Sequence, residues 1–409
     1  MKAEIIAVGT ELLLGDILNT NARFLSQQLS RLGIDVYYQE VVGDNPDRMK
    51  EVIGRAIGRS DVVVLSGGLG PTDDDLTKEM AAEYFGLPMY FDEGVMEEMT
   101  RYLNGKVPPA NKKQAYIPEG AAIIHNNYGT APGIIIERDG KTVILLPGPP
   151  RELEPLFMEQ VAPYLEAKSD SVMRSKVIRL FGLGEATVAE RVKDLMESAN
   201  PTLAPYAKDS EVTLRITAKA KDAQEAEGMI EELYRRVEKR VGEYIYGFGE
   251  EEMKTVVCRM LTKRGMTVAA AESCTAGMFT AMIADNPGAS AVLREGVVTY
   301  SNEAKEKYLG VSHDTLAQFG AVSPQTAREM AEGIRRASGA DVGVGITGIA
   351  GPDGGTAEKP VGLVYVGVAH RDGVSVRELN LIGTRQKIRY AAVLNALNEV
   401  RKILQKPLD

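Results

Sequence analysis

Along the first third of the chain, short apolar runs alternate with amphipathic stretches. Glu4 to Val8, Asp35 to Val42 and Asp61 to Leu65 read as strands, while Asn21 to Leu32 (closed by Gly33), Asp47 to Arg59 and about Thr72 to Phe85 read as helices. Such alternation is what a parallel sheet requires, because each crossover needs a helix-length connection. Further on, Gly133 to Glu137 and Thr142 to Leu146 flank Arg138-Asp139-Gly140-Lys141, whose Asp-Gly pair predicts a hairpin, and Arg151 to Leu165 predicts a closing helix. From Ser171 to about Gly249 the pattern becomes strand (Ser175 to Phe181), helix (Glu185 to Glu197), strand (Glu211 to Ala218) and charged helix (Ala223 to Arg240), a small α+β insert. Tyr244 to Glu252 reads as a flexible joint, since its glycines and acids offer little to bury.

The last third returns to alternation. A helix from Met253 to Lys263 stops at Gly265, and the apolar strand after it ends at Ser273, which is expected to open the next helix. A strand from Arg294 to Thr299, a helix from Asn302 to Leu309, a Ser323-Pro324 helix start and a strand from Asp341 to Ile346 follow. Gly362 to Ala369 and Val374 to Leu381 look antiparallel, and Gly383 to Leu404 is a long closing helix. The fold class is therefore α/β: two α/β domains with mainly parallel or mixed sheets joined by a small α+β domain, with boundaries at 1–170, 171–250 and 251–409.

A chain of 409 residues exceeds one ordinary core, and 44% hydrophobic with 26% charged residues is the balance of a globular, water-soluble protein. The net charge of -9 argues against a general nucleic-acid coat and points to small-molecule partners. Cys258 and Cys274 are the only cysteines, too few for a disulfide framework or a four-cysteine zinc site, so the cytoplasm is the expected compartment. The start, Met1 to Gly9, is too short and too polar for a signal peptide or a membrane span, and no membrane association is expected. His125, His313 and His370 sit in unrelated contexts, so any base here is expected not to be histidine.

That leaves Ser273 as the leading nucleophile. A strand-to-helix turn presents a side chain beside unpaired backbone N–H groups that can receive an oxyanion, although a serine at such a turn often only caps the helix. Lys305 and Tyr300 are the available activators, Lys305 as a base if burial lowers its pKa and Tyr300 as a proton relay. Ser301 and Lys305, four apart at a helix start, form a rival pair in which Ser301 also reads as the cap.

In the first domain three loops follow predicted strand ends: Gly9 to Asp16, Ser66 to Asp75 and Leu146 to Glu152. Ligands of open parallel sheets bind at such ends. Gly67, Gly68 and Gly70 would let backbone N–H groups approach a phosphate, and Asp73, Asp74 and Asp75 could hold a divalent cation; the same residues could equally make a turn and support a helix dipole.

The strings GTELLLGDILNTN, SGGLGPTDDDLT and LPGPPRE resemble the N-terminal domain of the CinA (competence/damage-inducible protein A) family, itself similar to molybdopterin-binding domains, over roughly residues 1 to 170. AESCTAG, TYSNEAK and GITGIAGPDGGT resemble the family's C-terminal nicotinamide mononucleotide deamidase domain over about residues 253 to 405, and the insert resembles its KH-like domain. Ala276 stands where that pattern usually has glycine. The resemblance implies a two-activity enzyme of pyridine-nucleotide recycling. In the C-terminal domain, Ser273, Lys305 and Tyr300 would convert nicotinamide mononucleotide to nicotinate mononucleotide and ammonia without a metal. Thr347, Gly348, Ala350 and Gly351 would contact ribose and phosphate, with Arg385 or Arg389 supplying positive charge. In the N-terminal domain it implies a metal-dependent ADP-ribose pyrophosphatase, with Asp44 and Asp75 for metal or water, and with Arg151 and the loop amides of Gly67, Gly68 and Gly70 on the phosphates. A homodimer is implied as well. The insert is expected to act as a spacer or dimerisation element, because Gly182 and Gly184 are one residue short of the GXXG loop of a nucleic-acid-binding KH module. The competing reading is a competence or DNA-repair interaction protein whose pockets bind nucleotides without catalysis.

Overall fold

The computed structural model describes residues 1–168 and 171–405; the boundary expected at residue 170 and the chain end at 409 lie outside the described residues. The chain divides into two compact units, one of Met1–Ser175 with Ala199–Pro201 and Thr217–Leu233, the other of Lys176–Ser198, Thr202–Ile216 and Tyr234–Asp409.

The first unit opens with strand β1 (Lys2–Val8), a short helix α1 (Thr10–Leu14), α2 (Thr20–Arg31), β2 (Asp35–Val42), α3 (Pro46–Arg59) and β3 (Val62–Ser66). Helix α4 (Thr77–Tyr84), β4 (Met89–Phe91), α5 (Glu93–Tyr102), β5 (Tyr116–Pro118), β6 (Ala122–Ile124), β7 (Gly133–Arg138) and β8 (Lys141–Leu146) follow. A six-stranded sheet runs in the order β2-β1-β3-β8-β7-β6, parallel from β2 to β8 and antiparallel beyond, and β4 pairs with β5. Alternate residues of β1 serve two cores: Ala3 and Ile5 pack with the α2 side, Ile6 and Val8 with the α3 side. Burial on both faces explains why the strands read as unbroken apolar runs. The expected helix from Thr72 begins only at Thr77, because the Thr72 hydroxyl binds Asp74 and Asp75 in a local turn that competes with helix. The closing helix is α6 (Pro150–Leu156), a π turn (Phe157–Val161) and α7 (Ala162–Lys168).

The middle stretch contributes β9 (Val172–Leu180), α8 (Glu185–Arg191), β10 (Thr202–Lys208), β11 (Glu211–Ala220), α9 (Ala223–Val241) and β12 (Ile245–Phe248), with sheet order β10-β11-β9-β12. Two of its strands were not expected. The segment read as a flexible joint is partly β12, paired antiparallel with β9, with Tyr246 and Gly247 buried.

Helix α10 (Met253–Arg264), β13 (Val268–Glu272), α11 (Met278–Ala284), β14 (Leu293–Val298), α12 (Asn302–Leu309), α13 (His313–Phe319), α14 (Pro324–Ser338), β15 (Val342–Gly348), β16 (Leu363–His370), β17 (Gly373–Asn380) and α15 (Arg385–Gln405) complete the chain. Their sheet has the order β14-β13-β15-β16-β17, with β13 parallel to both neighbours and the last two strands antiparallel. In β13, Val268 and Ala270 join the core of α10, α11 and α15, while Ala269 and Ala271 join that of α12 and α14. Small residues are required on the α14 side: a Cβ at Gly343 or Gly345 would lie 2.3 or 2.6 Å from a carbonyl oxygen of α14. Among the described residues no helix is long and apolar enough to cross a membrane.

Candidate functional site

The carboxyl ends of β13, β14 and β15 gather the three motifs singled out in the last third. Ser273 does not open a helix. It sits in a bend after β13, and α11 begins five residues later behind the left-handed Ala276 and Gly277. The Ser273 N–H donates to Ile346 O of β15 (2.9 Å), and Thr299 N–H donates to Glu272 O (2.9 Å), so both neighbouring strands anchor the turn.

Lys305, on α12, is fully buried, and its Nζ lies 3.3 Å from Ser273 Oγ. The same nitrogen is 2.9 Å from Thr299 O and 3.2 Å from Tyr300 O. Burial lowers the Lys305 pKa, opposed by Cys274 and Glu303 nearby. Ser301 O lies farther off at 3.5 Å; in its neutral form the amine has two N–H donors for the two nearer carbonyls and one lone pair for the serine hydroxyl, which is the arrangement a general base needs. The other candidate nucleophile, Ser301, caps α12 by accepting from Ala304 N–H (3.2 Å). Cys274 is an inert neighbour, its thiol pushed up to about 11 by burial.

Tyr300 is placed differently from the expected relay. Its ring is exposed and its hydroxyl accepts from Arg385 Nη2 (3.3 Å), whose Nη1 donates to Gly351 O (2.7 Å). Arg385 thus ties the glycine loop to the edge of the site. Arg389 donates to Thr275 O (2.8 Å) and holds the Ser273 turn from below. Thr347, buried, donates to Ala321 O (2.7 Å); Gly348 is crowded by β16, and Ala350 is buried, so these three shape the loop from inside.

The expected oxyanion donors at the helix start are occupied. Phe279 N–H and Thr280 N–H donate to the Glu272 carboxylate at 3.0 and 2.9 Å. Among the described residues, the N–H groups of Thr275 and Gly277 in the loop itself have no acceptor.

In the first unit a cavity of about 510 Å³ opens at the carboxyl ends of the parallel strands, lined among others by Glu11, Asn21, Gly68, Gly70, Asp75, Gln114 and Glu152. Gly67 and Gly68 have positive φ, and a Cβ there would lie 2.2 Å from Val8 O or 2.1 Å from Thr77 Oγ1, so close packing of the loop requires them. Gly67, Asp44 and Arg151 are not in the lining, and Arg151 is exposed. Asp44 accepts from the N–H and hydroxyl of Thr10, and Asp75 from those of Thr72, in separate loops. Among the described residues no three His, Cys, Asp or Glu side chains gather as a metal site. Asp44 and Asp75 therefore do not form a ready-made metal centre.

Residues that sequence reasoning passed over complete this cavity. Glu152, buried, accepts from Asn126 Nδ2 (2.9 Å), and Asn21 Nδ2 donates to Gly148 O (2.7 Å). Lys113 Nζ donates to Thr72 O (2.8 Å) and Asp75 O, and Gln114 Nε2 to Leu69 O (3.1 Å), so the turn Pro109–Ala115 clamps the glycine loop. Behind it the buried Lys78 donates to Lys113 O (2.6 Å), its pKa brought down to about 8 by burial. Glu152 and Asn21 stood within recognised strings; the Asn-Lys-Lys-Gln run carried no comparable signal.

Residues 250–404 match the CinA C-terminal domain, residues 4–167 the family described as "Probable molybdopterin binding domain", and residues 175–247 the damage-inducible protein CinA KH domain. A CinA-like protein of Kosmotoga olearia is 52% identical over 408 residues, covering 99% of both chains. A CinA-like protein of Dictyoglomus turgidum is 49% identical over 406 residues, covering 98% of this chain and 99% of its own. A solved competence/damage inducible protein from Agrobacterium tumefaciens shares 44% identity over 38% of this chain and 94% of its own, with a TM-score of 0.37. With all three domain types matched in order and full-length relatives at half identity, the chain belongs to the CinA family.

Proposed function

We propose that the C-terminal unit hydrolyses the carboxamide of nicotinamide mononucleotide to nicotinate mononucleotide and ammonia. The observation that carries this reading is the buried Lys305 amine 3.3 Å from Ser273 Oγ, in a family member with no histidine beside that serine. Ser273 Oγ attacks the amide carbon while Lys305 Nζ takes its proton. The tetrahedral oxyanion is received by the loop N–H of the half-buried Gly277, and collapse with proton return from Lys305 releases ammonia. Water then attacks the acyl-serine, again deprotonated by Lys305, to release the carboxylate. Tyr300 and Arg385 at the rim would border the nucleotide. Incubating the protein with nicotinamide mononucleotide and measuring ammonia tests this, with Ser273→Ala and Ser301→Ala as paired variants. Turnover lost only in Ser301→Ala would transfer the role to that serine.

For the first unit we infer hydrolysis of ADP-ribose to AMP and ribose 5-phosphate, supported by the cavity at the carboxyl ends of its parallel strands. The lining holds Glu11, Asp75 and Glu152 and no lysine or arginine, so a diphosphate entering it needs cations to offset its charge. The assay is AMP release from ADP-ribose with and without added divalent cation; tight binding without AMP would favour a nucleotide-sensing pocket instead.

A further inference from the structure

The residue immediately before the nucleophile has an unusual environment. Glu272 is fully buried, yet among the described residues no cation lies within ion-pair distance of it. Its carboxylate instead accepts three hydrogen bonds from the first turn of α11: Phe279 N–H (3.0 Å), Thr280 N–H (2.9 Å) and Thr280 Oγ1 (2.8 Å). A carboxylate is acceptor-only, so it matches three donors without conflict. The backbone between Glu272 and Phe279 is thereby closed into a ring that contains Ser273 and the left-handed Ala276 and Gly277.

We propose that Glu272 is a positioning residue for the nucleophile: its carboxylate ties the two ends of loop 273–277 together and so holds Ser273 Oγ against Lys305. The claim rests on the reading of Ser273 and Lys305 as nucleophile and base. The alternative anchors do not do the same work. Ser273 N–H to Ile346 O fixes where the turn leaves the strand, and Arg389 fixes the carbonyl of Thr275, but neither joins the loop to the helix that follows. Met278 N–H to Thr275 O (3.3 Å) and Ala281 N–H to Gly277 O (2.9 Å) join only the last loop residues to α11. Among the described residues Glu272 alone spans the loop from strand to helix by a side chain, and by occupying the helix-start N–H groups it leaves the half-buried Gly277 N–H as the donor for an oxyanion. The carboxylate acts through Ser273 and touches no reacting atom.

The test is Glu272→Gln, which keeps the shape but places an NH2 group against an N–H or hydroxyl donor, alongside Thr280→Val, which removes only the hydroxyl bond. Three readouts are taken on the full chain: kcat and KM for ammonia release from nicotinamide mononucleotide, the rate of acylation by p-nitrophenyl acetate with mass-spectrometric assignment of the labelled serine, and the melting temperature. The expected result for Glu272→Gln is a tenfold or greater fall in kcat and in Ser273 acylation, with KM within about twofold. Thr280→Val should show a smaller fall in the same two quantities. A folded Glu272→Gln protein with kcat and acylation within twofold of the unsubstituted chain overturns the proposal, whatever its melting temperature. If that variant does not fold, an unchanged acylation rate in Thr280→Val overturns it. Ammonia release absent while Ser273 still acylates would sink the substrate assignment alone, and the acylation comparison would still decide for or against Glu272. Label on Ser301, or no label, would overturn both.

Discussion

Replacing Lys305 by Met separates catalysis from stability at one position. A positioned general base contributes about 10²- to 10⁴-fold, so Lys305→Met should lower kcat/KM for ammonia release by that factor, or about 3–5 kcal/mol. The stability change should be far smaller. The substitution removes hydrogen bonds to Thr299 O and Tyr300 O, each worth about 1 kcal/mol net, but also removes the cost of keeping an amine out of water. The melting temperature should therefore move by only a few degrees. The pH dependence follows from the same burial. The folded-state pKa of Lys305 is lowered from its usual 10.5. Between the lowered value and 10.5 the unfolded chain holds the proton and the folded chain does not, so stability rises with pH across that window. Below the lowered value both states are protonated and the full penalty of a buried charge is present. Activity needs the neutral amine, so kcat/KM should climb with pH through the lowered pKa and then level. Ammonia release followed with a coupled dehydrogenase across the pH range, beside denaturant titrations of both proteins, measures all of this. Lys305→Met activity within tenfold of the parent, or an acid limb with the same midpoint in its residual activity, would refute the reasoning.

Gly129→Ala should deform the N-terminal cavity, because the added Cβ would lie 1.9 Å from Glu152 Oε2 and the carboxylate must leave Asn126. A cost of about 1–3 kcal/mol in a chemical melt and weaker binding of ADP-ribose by calorimetry are expected. Lys113→Ala should free the loop around Thr72 and Asp75, seen as faster hydrogen exchange over residues 67–75 and a several-fold loss of ADP-ribose affinity, with ammonia release from the other unit unchanged. Ala276→Gly should stabilise the chain by about 0.5 kcal/mol in a chemical melt, since relief of the left-handed strain, about 1 kcal/mol, outweighs the entropy that glycine adds to the unfolded chain.

What the sequence discloses and what it hides divide along one line, the distance over which an interaction acts. The strands and helices of both α/β parts are legible because burial on two faces writes apolar runs of the right length, and parallel pairing then dictates that the loops after β1, β3 and β8 share one end of the first sheet and those after β13, β14 and β15 one end of the last. Ser273 is legible from the turn after its strand and Lys305 from the scarcity of histidine, both within motifs that carry the family resemblance, and the parallel pairing of β13 with β14 brings them together although 32 residues separate them. Where a side chain 85 residues away decides, spacing is silent: Tyr300 meets Arg385 at the rim, and nothing in either neighbourhood announces it. The joint that turned out to be a strand fails the same way, since Tyr246 is buried in a core with Phe181, Met253 and Val256, and Gly247 pairs with Arg179 of β9, none of which the run of acids and glycines announces. The late start of α11 is a subtler case. A strand followed by a serine looks like a helix cap, but the acid before the serine does the capping, bonding Phe279 and Thr280 seven and eight residues on. The cap therefore lies on the strand side of the nucleophile, which leaves the serine hydroxyl free to face an amine. A serine serving as its own helix cap would have its oxygen engaged by backbone N–H groups, as Ser301 has. The choice between the two serines thus depends on which of them has a neighbour to relieve it of that task.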